Sequence, residues 1–483
     1  MSPIVQDRQM APLKLKGVLL WVMIAAVAFH AAYAAVATSW LILVYLFALL
    51  QLARAEKWRG AFYGGLAVGL LIAAGRLDFF WNLFSGGALA LWLVYAFWVG
   101  LFVALARLCI GRIRAGWGWL LVPFVWVGLE FFRSELYYLR FSWLNPGYAF
   151  AGVAGSVPLK HLGMYGVGFL FMAAACLAAF FWRRDRFRWL AATVAGGSVI
   201  AVCFLTAGRG GSRPSDSAIR IAGVQMECPT ESEVLLRLSE LLRRHPDTEL
   251  VVLSEYTFIE PIPEKIKRWC LQHKRYLIAG AKEPAGGDNF YNTAFVIGPE
   301  GEIVFKQVKA VPIQFFKDGL PAPAQNVWNS PWGRIGICIC YDLSYTRVTD
   351  RLVKLGAQAL VVPTMDMMDW GRRQHELHAR VAPVRAAEYG IPIFRIASSG
   401  ISQWVEGTGR VRASAPCPGD GATLFGTLEL RGAGRLPLDR WLAPFSTGVT
   451  VLISLLFLIL SASGFRTSRV GVRALPPLTE PSS

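Results

Sequence analysis

Long apolar blocks near both ends constrain this chain more than any other feature. Stretches of about 16 to 22 residues lie near 17–35, 38–53, 60–75, 86–106, 117–132, 162–181, 189–207 and 445–462, each close to the roughly 20 residues that carry a helix across a bilayer. Inside hydrocarbon a backbone must satisfy its own polar groups, so the blocks are expected to be helices. The first two are parted by a few residues around Thr38 and Ser39. Together they exceed one crossing, which predicts a tight hairpin. Charge agrees with this reading: 17% of residues are charged, against roughly 25% in soluble domains. A multi-span α-helical membrane domain is expected over 1–207 with seven spans, an eighth span at 445–462, and a tail at 463–483.

Short-loop cations alternate. Arg8, Lys14 and Lys16 precede the first block; Arg54, Lys57 and Arg59 follow the second; Arg107, Arg112 and Arg114 follow the fourth; Arg183, Arg184, Arg186 and Arg188 follow the sixth; Arg466, Arg469 and Arg473 follow the last. Cations stay on the cytoplasmic side, so both termini are expected there and the long polar insert outside. Topology and anionic lipid account for the formal charge of +17 without nucleic acid. The first block runs on into further spans and lacks a small-residue cleavage pattern, so no cleavable signal is expected.

The polar insert reads differently. RGGSRPSDSA and its flanks form a linker at 208–218, and a folded domain is expected over 219–440. IRIAGVQM, LVVLSEYTF, YLIAGA, YNTAFVIGPEG, EIVFKQVK, RIGICIC, ALVVPT and IPIFRIAS read as strands. TESEVLLRLSELLRRH, IKRWCLQHKR, TRVTDRLVKLG and QHELHARVAPVRAAEYG read as helices, the first opened by a Thr230–Glu233 capping box. Alternation of the two predicts a layered α/β domain. Glu255, Lys309 and Cys340 each fall where a predicted strand stops, the usual place for reacting groups in such folds. A carboxylate can take a thiol proton, and an ammonium favours first the thiolate and then the oxyanion formed on a carbonyl. The three suffice for acyl transfer through a thioester.

Other residues carry weaker signals. Cys109, Cys176 and Cys203 lie in or beside spans and read as packing residues; Cys228, Cys270 and Cys417 leave a disulfide open. His375 and His378 share a helix face but lack His-Glu-x-x-His spacing, and no phosphate-binding glycine loop occurs at a strand-to-helix junction. No metal or cofactor is expected.

The order LSEYTF, GEIVFKQVK, GICICYD resembles the nitrilase superfamily, whose members carry Glu, Lys and Cys in that order on an αββα sandwich. WVGLEFFRSELYYLRFSWLNPGYAF and LGMYGVGFLF resemble the membrane part of apolipoprotein N-acyltransferases, as do QH at 374–375, RAAE at 385–388 and FRIASSG at 394–400. The resemblance covers about 120–465. It implies Cys340 as nucleophile, Glu255 as base and Lys309 as oxyanion partner, with Lys306 the second candidate for that lysine, and it makes Cys338 a packing residue. A tyrosine that family members usually show two residues before the lysine is Gln307 here. An acid expected after the Val-Pro pair is Phe315, with Asp318 the nearby substitute, and the family's loop after ALVVPT reads MDMMDWG, which leaves 365–371 as a candidate lid.

The implied reaction moves an acyl chain from a membrane phospholipid to Cys340, then to the α-amino group of a diacylglyceryl-modified apolipoprotein. Asp342 would orient the site. Glu130 and Arg133 are unusual near a span end and could pair one turn apart in a supporting role. Trp143 is a further supporting residue, although with Tyr148 it also fits an interfacial aromatic belt. A monomer in a bacterial inner membrane is expected, with the catalytic domain on the outer side. A membrane-tethered amidase using the same residues, and a non-catalytic protein with a degenerate domain, are the alternatives.

Overall fold

A computed structural model of the protein describes residues 12–113, 116–153, 157–182 and 217–467, with Gly197. The seventh apolar block, Cys203, the linker up to residue 216 and the tail beyond 467 lie outside the described residues. So do Arg8, Arg114, Arg183, Arg184, Arg186, Arg188, Arg469 and Arg473 among the loop cations.

The apolar blocks form helices α1 (Leu15–Ala32), α2 (Leu41–Leu52), α3 (Trp58–Arg76), α4 (Phe79–Phe84), α5 (Gly87–Arg112), α6 (Trp117–Phe131) and α7 (Val157–Trp182). The hairpin expected at Thr38 forms. Its hydroxyl donates to the carbonyls of Ala31 (2.7 Å) and Ala35 (2.9 Å), closing the chain between α1 and α2. Among the described residues four helices are long and apolar enough to cross a membrane: Leu15–Ala32, Gly87–Arg112, Pro158–Trp182 and Asp439–Leu460. The seventh of the eight expected spans lies outside the described residues. The 12 residues of α2 reach only about 18 Å at 1.5 Å each. In α3, glycines take apolar positions because α5 lies against them: a Cβ on Gly65 would sit 2.9 Å from Gly100 Cα, and one on Gly69 2.5 Å from Ala96 Cα.

The insert is a sandwich of two six-stranded sheets. One runs β12-β1-β2-β3-β4-β5, from β1 (Ser217–Val224), β2 (Leu250–Val252), β3 (Tyr276–Pro284), β4 (Phe290–Ile297), β5 (Ile303–Val308) and β12 (Thr423–Leu430). The other runs β11-β10-β9-β8-β7-β6, from β6 (Val327–Ser330), β7 (Gly333–Ile337), β8 (Ala359–Thr364), β9 (Ile393–Ala397), β10 (Ser402–Val405) and β11 (Val411–Ala415). At the centre of each sheet the strands are parallel, β1-β2-β3 and β7-β8-β9. Period-two alternation explains the continuous apolar runs. Ile219, Ile221, Leu250, Val252 and Ile278 share a core with the facing sheet. Ala222, Val224, Val251, Leu253 and Leu277 pack instead under α8 (Glu231–Arg244) and α9 (Glu264–His273). The Thr230–Glu233 capping box of α8 is present.

Helices α10 (Thr346–Lys354), α11 (Arg372–Ala379) and α12 (Val381–Tyr389) accompany the second sheet, and α13 (Asp439–Thr467) leaves the sandwich. The single helix expected over QHELHARVAPVRAAEYG is thus two, α11 and α12. Both LVVLSEYTF and RIGICIC leave the sheet before their reacting residues, at Val252 and Ile337.

The helical part and the sandwich meet at a kink. Gly163 breaks α7 with φ +73°, a left-handed conformation that glycine adopts without strain. The break frees two N–H groups. Met164 N–H donates to Glu388 Oε1 (2.6 Å) on α12, and Tyr165 N–H to Asp439 Oδ2 (2.9 Å) on α13. A Cβ on Gly163 would lie 2.3 Å from the Asp439 carboxylate. Gly163→Ala should therefore cost about 1–3 kcal/mol from backbone strain alone and lower the unfolding midpoint in detergent. Gly448→Ala, where a Cβ meets nothing within 4 Å, should not lower it. Equal midpoints for the two variants would contradict this account of the kink.

Candidate active site

Glu255, Lys309 and Cys340 converge at the strand ends. Glu255 lies in the turn after β2, Lys309 directly follows β5, and Cys340 opens a 3-10 turn (Cys340–Ser344) after β7. Cys340 has φ +53° and Tyr256, next to Glu255, φ +52°. Non-glycine residues are rarely held there, and such strain gathers at sites that need a side chain re-aimed. Gly280 makes room for the Glu255 turn, since a Cβ on it would lie 2.6 Å from Glu255 Cα.

Lys309 is fully buried and its Nζ lies 2.8 Å from Glu255 Oε1 and 2.7 Å from Asp318 Oδ2. Asn292 Nδ2 donates to Glu255 Oε1 (2.6 Å) and to Asp318 Oδ1 (3.1 Å), and Tyr256 OH donates to Asp318 Oδ1 (2.8 Å). Met365 joins the acid to the thiol: its N–H donates to Glu255 Oε2 (2.8 Å) and its carbonyl accepts from Cys340 Sγ at 3.6 Å. Asp342 accepts from the N–H groups of Ala310 (2.9 Å), Val311 (2.8 Å) and Ile339 (3.3 Å), which ties the Lys309 strand end to the cysteine turn.

The charges sort themselves by environment. Burial would lift both carboxyls. The Lys309 ammonium outweighs it at Asp318, which sits below its ordinary value, whereas Glu255 stays raised, with Asp318 adding to the effect of burial. Burial works against the Lys309 charge as well, yet the two carboxylates hold it well above the ordinary lysine value. The Cys340 thiol is pushed far up by burial and by the Glu255 charge. Burial lifts Asp342 to about 6 despite its three N–H donors. One ionised carboxylate, one ammonium, one acid of raised pKa and one protonated thiol make an acid–base pair poised beside a nucleophile.

Cys340 lines a cavity of about 1010 Å³, a volume that includes space open to solvent. Its wall is mostly apolar and comes from both parts of the chain, including Phe80 and Phe84 of α4, Trp98 of α5, and Trp143, Phe316 and Trp370 from loops. Arg133 lines it too, bound twice to Glu130 (2.9 and 2.8 Å) and once to the Phe141 carbonyl (2.8 Å). The expected one-turn pair thus exists and braces the loop that carries Trp143. Trp143 itself is only 5% exposed, so the interfacial-belt reading is wrong for it. Its indole N–H donates to Ser344 Oγ (2.9 Å) in the cysteine turn. Tyr148 is buried as well.

Of the residues singled out from sequence, Glu255, Lys309, Cys340, Asp342 and Trp143 come together. Lys306 does not: it projects to the exposed side and pairs with Glu283 (2.5 Å). Phe315 is 64% exposed, while Asp318 takes the buried acidic place. Cys338 is buried, and Cys228, Cys270 and Cys417 are unpaired. Among the described residues no cluster of ligands could hold a metal. The sequence reading does not single out Asn292, whose signal is an amide beside Thr293 in the largely apolar strand YNTAFVI.

Residues 16–177 match the apolipoprotein N-acyltransferase N-terminal domain, and residues 220–416 the carbon-nitrogen hydrolase domain. An apolipoprotein N-acyltransferase of Nitrosomonas europaea is 25% identical over 346 residues, 62% of this chain and just under two thirds of that one at 66%. Its counterpart from Shewanella oneidensis is 23% identical over 418 residues, 74% of this chain and 78% of that one. The chain carries the domain pair of the apolipoprotein N-acyltransferases. Omega-amidase NIT2 of Xenopus tropicalis is 27% identical over 179 residues, 32% of this chain and 65% of that one. In this N-acyltransferase-like chain the hydrolase region holds Glu255, Lys309 and Cys340, while the N-terminal region holds Glu130, Arg133 and Trp143.

Removing one member of the buried ion cluster tests its balance. Lys309→Met leaves two carboxylates without a counter-ion, a loss of about 3–5 kcal/mol. A buried carboxyl raised above its unfolded value loses stability as pH rises past that value. The deficit against wild type should therefore be largest near pH 8 and shrink toward pH 5, read from unfolding midpoints. A deficit that grows on acidification would refute the charge account.

Proposed function

We propose that the protein transfers an acyl chain from a membrane phospholipid to the α-amino group of a diacylglyceryl-modified apolipoprotein, through a thioester on Cys340. The observation that carries this reading is the apolar cavity that Cys340 lines and that draws its walls from both the helices and the sandwich. A long chain withdrawn from lipid into water would cost about 0.8 kcal/mol per CH₂. Membrane-length helices beside an aromatic-lined cavity remove that cost.

In the first half-reaction Glu255 takes the Cys340 proton and the sulfur attacks the ester carbonyl. The raised Glu255 carboxyl is suited to receive the proton and to return it to the departing alkoxide of the lysophospholipid. Lys309 stays charged through its carboxylates and faces the developing oxyanion. Asp342 positions the Cys340 turn. In the second half-reaction an amine attacks the thioester, an amide forms, and the thiol regains its proton. This reading places the four long apolar helices in a bacterial inner membrane, with the sandwich on its outer face. An amidase would use the same three residues with water as acceptor, but a small amide has no use for a wall lined by aromatic side chains of α4 and α5.

Intact-protein mass spectrometry after incubation with phosphatidylethanolamine of defined chains tests the proposal. Wild type should gain one acyl mass that hydroxylamine removes, and Cys340→Ala should gain none. Folded wild type that takes up no acyl mass would sink phospholipid acyl transfer through Cys340.

A further inference from the structure

One more titratable side chain lines the cavity and has a role in neither half-reaction so far. His378 on α11 is 1% exposed and lines the same cavity as Cys340. Its Nε2 is buried without a hydrogen-bond partner, a costly state for a polar nitrogen unless a ligand meets it. Its Nδ1, by contrast, is held 2.7 Å from Asp366 Oδ1.

The surrounding network sets the tautomer. Gln374 Nε2 donates to Asp366 Oδ1 (2.9 Å), and Arg395 Nη2 donates to Asp366 Oδ2 while lying 3.0 Å from His378 Nδ1. Burial alone would raise the Asp366 carboxyl, but the hydrogen bond to the His378 ring and the Arg395 guanidinium hold it far below the ordinary range, so it is ionised. A guanidinium only donates and an ionised carboxylate only accepts; the carboxylate makes the shorter contact with Nδ1, 2.7 Å against 3.0 Å, so the hydrogen sits on Nδ1 and the lone pair on Nε2. Burial, with Arg395 close by, lowers His378 from its ordinary value and keeps the ring neutral at pH 7. The charged and titratable groups facing it are Asp366 after β8, Arg395 on β9 and His375 on its own helix.

Two links tie this ring to the nucleophile. Trp143 stacks on it at 4.7 Å between centroids and 18° between planes, and bonds Ser344 in the cysteine turn. Asp366 directly follows Met365, which bonds both Glu255 and Cys340.

We propose that His378 is a second general base, which deprotonates the incoming α-ammonium before its nitrogen attacks the Cys340 thioester. The inference rests on the acyl-transfer reading above. An α-amino group has an ordinary pKa of about 7.7–8.0, so at neutral pH most of it is protonated and unreactive. His378 Nε2 takes that proton. The neutral nitrogen bonds to the thioester carbon, the C–S bond breaks, and the nitrogen's surplus proton passes through Glu255 to Sγ. His378 then releases its proton to water. Glu255 cannot serve both transfers at once, because during the attack it is the group that reprotonates sulfur.

The test separates the half-reactions. Wild type and His378→Asn, which retains a donor toward Asp366, are loaded with phosphatidylethanolamine and then chased at pH 7 and pH 9. One chase is a synthetic lipopeptide with a free N-terminal S-diacylglyceryl-cysteine; the other is hydroxylamine, already neutral at pH 7. Acyl uptake by each variant is the reference against which its chases are read, since His378 lines the cavity that takes the chain. Transfer to the lipopeptide should fall about a hundredfold at pH 7 and recover most of that at pH 9, while the hydroxylamine chase keeps its rate. His378→Gln should show the same split. Equal losses in uptake and in both chases at both pH values in each variant, or lipopeptide transfer at the wild-type rate, would overturn the role of His378. Wild type that takes up no acyl mass would instead overturn acyl transfer itself, before any variant is compared.

Discussion

Two carboxylates compete for one ammonium in a place that water does not reach, and much of the surrounding architecture follows from that. Lys309 is fully buried, so its charge is tolerable only with partners on every side. Glu255 and Asp318 supply them, and their own oxygens are then satisfied by Asn292, Tyr256 and the N–H groups of Met365 and Ile313. These groups come from the ends of β2, β4 and β5 and from the loops after β5 and β8. Shifting any one of them strands a charge. The sheet order and the close approach of Gly280 to the Glu255 turn are thus part of the electrostatics and not only of the packing.

A second set of buried charges relates this cluster to the helices. Arg385 donates to the carbonyls of Leu343 (3.1 Å) and Ser344 (2.8 Å), in the turn that Cys340 opens, and to Glu388 Oε2 (2.6 Å). Glu388 in turn accepts from the broken helix α7. Glu135, just past α6, accepts from the N–H of Thr346 at the start of α10. The position of the thiol relative to the cavity wall therefore depends on hydrogen bonds that span both parts of the chain. An isolated sandwich would lack the wall and several of these supports.

Local signals made part of this legible in the sequence. Strand alternation separated Lys306 from Lys309, because two charges three positions apart on a strand face opposite sides. A capping box announced α8, and the Thr38–Ser39 break announced the first hairpin. What failed was read from local pattern where tertiary contact decides. Trp143 looks like a membrane-interface aromatic, yet it is stacked on a histidine more than two hundred positions away. Asp318, the substitute acid that the sequence offered, does reach Lys309, and it is the path of the intervening loop, with Phe315 at φ +70° and exposed, that brings it there. Glycine-mediated packing between α3 and α5 and the shortness of α2 are likewise invisible to a sum of hydropathies.

The resting state of the thiol explains why desolvation and the carboxylates belong together. A thiolate alone in an apolar cavity would be unstable, and burial together with the Glu255 charge keeps the proton on Cys340. Raising the thiol's pKa also raises the nucleophilicity of the thiolate that forms. The same burial raises Glu255 as well, which makes its carboxylate a stronger proton acceptor than an exposed one. Proton transfer then becomes feasible when a carbonyl is in place to receive the electrons and Lys309 is beside the oxygen that gains charge. Cys338 has no such neighbours. Buried two positions earlier, it is held as a thiol by desolvation and then by the Asp342 charge, which the weaker pull of Arg385 does not offset. The difference between a packing cysteine and a reactive one lies in the charges that the fold delivers to each, although their sequence surroundings are nearly the same.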